Sequence, residues 1–535
     1  MKNIRKYNRK KFVSTLLNIF LVLGAFTILV PLSAPTAKAD IIWYDNWYIP
    51  PPVFVYHEDN TIYVNGTLTI EGSLTLVNCT LYMRYKPPND PDGNLIWVKS
   101  GAVSEFYVLD NTIITTDPSN PDPYNFTIEG KAVINNSIVE NMADLTGEAD
   151  GIQIYNSNVK ITNSSIRSSN GNGIYIYDAQ PTIKNCNISN NNHSGVYVNS
   201  VDNWSFENNN VSSNTIGIFL DYSDNNTIAN NTFFVNDHGI YLNKSDSNTI
   251  INNTASLNND YGIYLLNSDL NNIKDNIASN NDYGILMSSS SSTTITNNTC
   301  NSNKFRYGIQ YYGDGIRLDS SSTNTIVDNT CNSNAIGISL ISSSSNTIAN
   351  NTCNLNIKTG IYHLQSSNNT ITYCNTSNNL YGIYLTASST NTITNCNISK
   401  NRHGITLELS SSNYNTITNC NISSNNYYGL YLHFSSSHAT ITYNDIKNNK
   451  EGVRIETGAN GIIHNNTISG NTDYGVKNTD SFVYIHAEYN WWGDTDNSGP
   501  YKDDNGPPAP YNNLDGKGDE VSRYVYFTPW LDGPP

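Results

Sequence analysis

The feature that most constrains this chain is a glycine that returns at a fixed interval. Fifteen glycines, running from Gly151 through Gly173, Gly195, Gly217 and Gly239 to Gly475, stand 22 or 23 residues apart, with two longer gaps of 25 and 31. Such a period means stacked copies of one supersecondary unit, because a single unit cannot bury its own apolar face. After nearly every glycine, positions +1 and +3 are apolar while +2 and +4 vary, as in Gly173-Ile174-Tyr175-Ile176 and Gly239-Ile240-Tyr241-Leu242. That alternation is the signature of a strand with one buried face. No segment beyond the first 39 residues has helical periodicity.

A second anchor follows each glycine by about 11 residues, as in Asn226-Thr227-Ile228-Ala229-Asn230-Asn231-Thr232-Phe233. With Ile228 as reference, position +3 is Asn and +5 is apolar again. A spacing of five cannot face one side of a straight strand, so the chain bends between them. Asn suits that bend because it tolerates left-handed backbone angles. Stacked Asn amides would also pair along the axis, which satisfies them when buried. The same frame fits Leu76/Cys79/Leu81, Val108/Asn111/Ile113 and Val133/Asn136/Ile138 upstream, and Ala487/Asn490/Trp492 downstream. These readings predict an all-β, single-stranded parallel β-helix of about 18 coils, a rod on the order of 85 Å long at ~4.8 Å per coil.

The cysteines obey the same frame. Cys79, Cys186, Cys374, Cys396 and Cys420 fall at +3, and Cys300, Cys331 and Cys353 at +5. Parallel side chains in a ladder rarely present the torsion of a disulfide, so buried thiols acting as small apolar fillers are expected. No Cys-x-x-Cys pair is present, which argues against a thiolate metal site.

Charge narrows the partners. The first 39 residues hold seven Lys and Arg and no acid, so the remainder carries −23 against −16 for the whole chain. A surface of that sign repels nucleic acid and anionic lipid. The basic stretch 2–11, the apolar stretch Phe12–Val30 and Ala37-Lys38-Ala39 read as a secretory signal over residues 1–39, although the apolar stretch is also long enough for an uncleaved anchor. The expected organisation is then a cap at 40–59, the solenoid at 60–492 and a capping segment at 493–535. Trp43, Tyr44, Trp47 and Tyr48 would cover the first exposed strand edge, and Trp491, Trp492 and the Pro-rich tail the last.

The units running from Asn226-Thr227-Ile228 to Gly239-Ile240-Tyr241-Leu242 resemble the right-handed parallel β-helix repeats of NosD-like and CASH (carbohydrate-binding and sugar hydrolase) proteins, over about residues 60–492. The resemblance implies a right-handed fold and leaves function open, since such coils serve lyases, hydrolases, adhesins and copper-delivery proteins alike. The tail, with Asn490-Trp491-Trp492-Gly493, Ser498-Gly499-Pro500, Gly516-Lys517-Gly518-Asp519 and Thr528-Pro529-Trp530-Leu531, is similar to the closing segment of microbial surface members.

Three places offer chemistry. Tyr175, Tyr197, Phe219, Tyr241 and Tyr264 occupy the outward +2 column of five successive coils, where sugar rings could stack on them; plain cross-strand stabilisation is the alternative. The 31-residue coil carries an insertion, 304–314, that adds Tyr307 and Tyr311 to the surface from which binding loops leave a solenoid. At +4, Glu408, His433 and Glu456 share a column, with Arg454, His403 and Glu451 beside them. Carboxylates two coils apart lie ~9–10 Å apart, near the upper end for an inverting glycosidase pair. A mutually compensating surface patch is the other reading. In the tail, Asp494, Asp496 and Ser498 match the first half of a calcium loop, but Asn505 replaces the closing Glu. Calcium is therefore the one cofactor for which the sequence offers a place. Nine scattered His and four Met lack the clustering that copper requires.

These features favour a secreted or cell-surface rod that binds a polysaccharide, a surface glycan or cell-envelope components without catalysis. A polysaccharide hydrolase or lyase, and a NosD-like periplasmic accessory protein for copper delivery, are the alternatives. Neither nucleic acid nor a membrane contact beyond the N-terminal segment is expected.

Overall fold

A computed structural model describes residues 40–84, 94–143, 151–409, 412–436, 438–502, 507–508, 510 and 512–535; the expected signal segment 1–39 and Asn505 lie outside them. The unit Ile41–Pro535 is a parallel β-solenoid of about 19 turns, and its described residues contain no α-helix. None of them, accordingly, forms a helix long and apolar enough to cross a membrane.

A regular turn has three strands, as in Thr227–Ala229, Thr232–Phe234 and His238–Asn243. The next turn repeats them as Thr249–Ile251, Thr254–Ser256 and Tyr261–Leu266. Pairing is parallel, with Thr227 opposite Thr249, Thr232 opposite Thr254 and His238 opposite Tyr261. Like residues therefore fall into columns. Ile228, Ile250, Ile273 and Ile295 form one, each with no exposed surface.

The ends differ from expectation. The segment 40–59 is the first turn itself: Ile41–Ile49 pairs in parallel with Thr61–Ile70, and Phe54–Glu58 with Ser73–Val77. Trp47 is buried there, while Trp43 and Tyr48 stay exposed. At the other end Val525–Tyr526 returns to pair with Ile485–His486, and Trp492 and Phe527 close the core.

Buried amides bind turn to turn. The backbone N–H of Asn231 donates to Asn253 Oδ1 at 2.9 Å, and its Nδ2 to the same oxygen at 3.1 Å. Asn253 repeats both bonds to Asn276, at 2.9 and 3.1 Å, and its Nδ2 also reaches the Ile228 carbonyl at 2.8 Å. One side chain thus links three coils. The left-handed backbone angle expected of this Asn falls instead on the residue before it: Asn230 has φ 56°, Asn252 55° and Asp275 57°. The ladder Asn is required for its amide, its neighbour for its backbone.

A second ladder, three or four residues before the glycine, runs from Asn236 to Asn258 to Asn281. It accounts for the glycines. A Cβ on Gly239 would lie 2.5 Å from the Gly262 carbonyl oxygen and 3.0 Å from Asn258 Nδ2.

All eight cysteines are free and buried. Those in the Asn column imitate it. The N–H of Cys420 donates to Asn444 Oδ1 at 2.9 Å, and its thiol to the Thr418 carbonyl at 3.3 Å. Asn276 Nδ2 makes the matching bond to the Lys274 carbonyl at 2.9 Å.

One residue breaks an apolar column. His363 stands in register between Leu340 and Leu385, fully buried, with neither ring nitrogen hydrogen-bonded. Burial pushes its pKa down from 6.5 to about 3.

Two outcomes follow. Asn253→Ala strands the Asn231 donors and is expected to cost about 1–3 kcal/mol, read as a lower midpoint in urea unfolding. His363 is neutral in the fold, so below pH 6.5 the unfolded chain takes up a proton that the folded chain refuses. Stability should fall on acidification from 6.5 towards 3 by up to about 1.4 kcal/mol per pH unit from this group. His363→Leu should remove that component; an unchanged slope contradicts the assignment.

Candidate functional site

The widest continuous surface is the sheet built from the long strands that follow each glycine. Tyr175, Tyr197, Phe219, Tyr241 and Tyr264 stand on it in strict register. Tyr175 is buried and the others are half-buried. Tyr197, Phe219, Tyr241 and Tyr264 stack face to face, with successive centroids 4.9, 4.8 and 4.9 Å apart; Tyr175 meets Tyr197 edge-on at 5.4 Å. The column does point outward, but stacking covers most of the ring faces, so its edges and hydroxyls meet the surface. The Tyr197 hydroxyl donates to Asp221 at 3.2 Å, and burial pushes the Tyr241 hydroxyl up to about 12.

The ring contacts do not stop at Tyr264. They pass to Tyr261 at 4.9 Å, Tyr283 at 5.7 Å, Phe305 at 6.0 Å and Tyr312 at 5.5 Å. The last two belong to the insertion, an antiparallel hairpin of Phe305–Tyr307 and Gln310–Tyr312. Its tip stands in solvent: Tyr307 is 61% exposed and Ile309 89%, with Tyr311 at 37%. The Arg306 guanidinium lies 5.9 Å from the Tyr311 ring centre, and the Lys358 ammonium 4.7 Å from that of Tyr312.

Next to the hairpin lies a charged cluster that the sequence columns did not single out. Asp314 is buried, and Ser339 Oγ donates to it at 2.5 Å. Arg317 donates to Asp319 at 3.0 Å and lies 3.7 Å from Asp314. Burial pushes Asp314 up to about 6 in spite of Ser339 and Arg317. The signal was there: Asp314, Arg317 and Asp319 are the three charged residues of a single six-residue strand.

Glu408 and His433 are register partners, and Glu456 follows the strand Glu451–Ile455 in the next coil. His433 Nε2 is 3.5 Å from Glu456. Tyr431 and Arg454 each donate to Glu456 at 2.7 Å. Burial works to raise the Glu456 pKa, but those two donors outweigh it and hold the carboxyl below its ordinary range. The Tyr384 hydroxyl donates to Glu408, while Arg454 and Lys477 both reach the buried Glu451 at 3.2 Å. His403 stacks on Tyr381 and meets Tyr428 at a tilt, and burial pushes it down to about 4. The three residues do come together, inside a network where each carboxylate already has a cation or hydroxyl partner.

The residues of the expected calcium loop are engaged in contacts within the protein. Asp494 is buried and caps the Gly499 N–H at 3.0 Å, the Lys517 ammonium pairs with Asp496, and Ser498 Oγ accepts the Lys517 N–H at 2.9 Å. Lys517 is the cation beside Asp496. Among the described residues, no group of three or more His, Cys, Asp or Glu is placed to hold a metal ion.

The family described as right handed beta helix region matches this sequence over residues 150–300, 299–414 and 356–490. No curated protein sequence matches the chain. Similar solved structures include the periplasmic alginate epimerase AlgG, at 14% identity, covering 70% of this chain and 76% of that one, with a TM-score of 0.29. Another is DFA-IIIase from Arthrobacter chlorophenolicus A6, at 12% identity, 59% and 84% coverage and a TM-score of 0.31. A third is PfbA, a surface adhesin of Streptococcus pneumoniae, at 14% identity, 60% and 84% coverage and a TM-score of 0.32. Likeness at this level extends to the repeat architecture alone.

Arg454 links Glu451 to Glu456, so Arg454→Met should raise the Glu456 pKa and lower stability by about 1–3 kcal/mol. Carboxylate titration by NMR and thermal unfolding check the two effects separately.

Proposed function

The chain belongs to the right-handed β-helix family, and from that premise we propose that it is an extracellular or cell-surface rod that binds a polysaccharide without cutting it. This reading gives it the carbohydrate-binding role of the CASH type, with the N-terminal segment 1–39 directing export.

The observation that carries the proposal is the unbroken line of aromatic contacts from Tyr175 along the long-strand sheet to the exposed hairpin. Tyrosine edges and hydroxyls along the sheet would hydrogen-bond sugar hydroxyls. At the hairpin, the exposed Tyr307 ring and the side of Tyr311 away from Arg306 offer faces on which a sugar can stack. Tyr307, Ile309, Tyr311 and Tyr312 expose their side chains together on this one hairpin, and grouped apolar exposure of that kind marks an interaction site.

Cleavage by Glu408, His433 and Glu456 is the second reading. It is favoured by one observation, the alignment of imidazole and carboxylates in adjoining coils.

A glycan array and immobilised polysaccharides, run beside a reducing-end assay on the secreted protein, separate the two. The proposal expects retention by at least one polysaccharide, loss of about tenfold in affinity in the Tyr307→Ala/Tyr311→Ala variant, and no new reducing ends. Retention unchanged in that variant contradicts it. Reducing ends that vanish in Glu408→Gln, with circular dichroism unaltered, establish the second reading instead.

A further inference from the structure

The N-terminal turns carry a different aromatic column, on the sheet formed by the strands Thr80–Arg84, Ile113–Thr116, Ile138–Glu140 and Ser165–Arg167. Trp43 stacks on Tyr63 at 4.1 Å, and Tyr63 on Tyr82 at 4.9 Å. There the stack ends, because the register partner of Tyr82 in the next coil is Thr115. A threonine is too short to cover a phenol ring. Where the longer column ends at Tyr264, by contrast, its register partner is the bulky and buried Leu286.

The space over Tyr82 is a cleft of about 490 Å3, bordered by Tyr82, Thr115, Glu140, Asn141 and the prolines of the loop 117–123. That volume lies within the roughly 300–1,000 Å3 of small-ligand sites. The wall is pre-formed. Arg84 holds Asp117 at 2.6 Å, Asp117 accepts both the N–H and the hydroxyl of Ser119 at 2.8 Å, and Pro118, Pro121 and Pro123 restrict the loop backbone.

The polar lining is equally ordered. Arg167 donates to Glu140 at 2.7 Å, Thr115 Oγ1 to Glu140 at 3.2 Å, and Asn141 Nδ2 to Thr115 Oγ1 at 2.9 Å. Both arginines of the site are thereby engaged with acids. A carboxylate ligand would find no uncommitted cation and would face Glu140, whereas sugar hydroxyls can donate to Glu140 and bond Asn141.

We propose that the cleft over Tyr82 is a binding subsite for one neutral sugar residue, stacked by its apolar face on the open side of the Tyr82 ring. It is independent of the hairpin and lies on a different row of strands, in the N-terminal coils.

The test is saturation-transfer NMR of the secreted protein with methyl glycosides of glucose, galactose, mannose and N-acetylglucosamine, and with glucuronate and galacturonate. Thr115→Tyr continues the existing stack into the cleft at the cost of the Thr115 bonds to Glu140 and Asn141, so circular dichroism is recorded beside it to show that the fold is kept; Thr115→Ser retains the hydroxyl and leaves the cleft open. The expected result is a neutral glycoside that binds wild type and Thr115→Ser, binds Thr115→Tyr about tenfold or more weakly, and binds Tyr307→Ala/Tyr311→Ala as wild type. No signal from any neutral glycoside, undiminished binding to Thr115→Tyr, or uronates bound as well as the neutral sugars would each overturn the proposal. Dependence on the hairpin tyrosines would also overturn it, by assigning the signal to the other surface.

Discussion

Each coil leaves buried amides that can be satisfied only by the coils above and below it. Asn253 receives two bonds from Asn231, gives two to Asn276 and sends a third donor to Ile228. An unmet buried donor costs about 1–3 kcal/mol. A slip of one residue would also turn every side chain of a strand to the opposite face. Register is thus enforced twice, by Ile in the core and by Asn at the corners. Stability becomes a sum of interfaces between neighbours, and columns of like residues follow from it.

That logic decides which features could be read from the sequence. The Ile and +3 Asn columns were legible because period and residue type agree, and Cys186 and Cys420 in the same column confirmed the frame. The ladder of Asn236, Asn258 and Asn281 is just as periodic, but outward residues such as Asn259 and Asp260 flank it and composition does not tell inward from outward. The tail returned to the ladder through Val525, a contact that no local pattern encodes. Lys517 reaches Asp496 from a distant segment, a contact that the local spacing of Asp494, Asp496 and Ser498 does not encode.

At the candidate sites, period two identified which face the Tyr column occupies. Rotamers then set the rings face to face, and alternation carries no information about them. Chemistry concentrates where a column is interrupted: Thr115 after Tyr82, Arg317 after Leu286, His363 among leucines, and the hairpin in place of a plain corner. A solenoid repeats its surface by default, and departures from the repeat create its distinct sites.

The central claim is axial register, and distances along one column test it most directly. Ser205, Thr294 and Thr347 are exposed members of a single column, linked through successive strand pairs. With all eight native cysteines buried, nitroxides can be placed at Ser205→Cys with either Thr294→Cys or Thr347→Cys. Electron–electron distances should reflect four and six coil steps, about 19 and 29 Å at the backbone, and so differ by about 10 Å. Broad distributions, or two distances that do not differ by two coil steps, would contradict the stacked register on which every site described above depends.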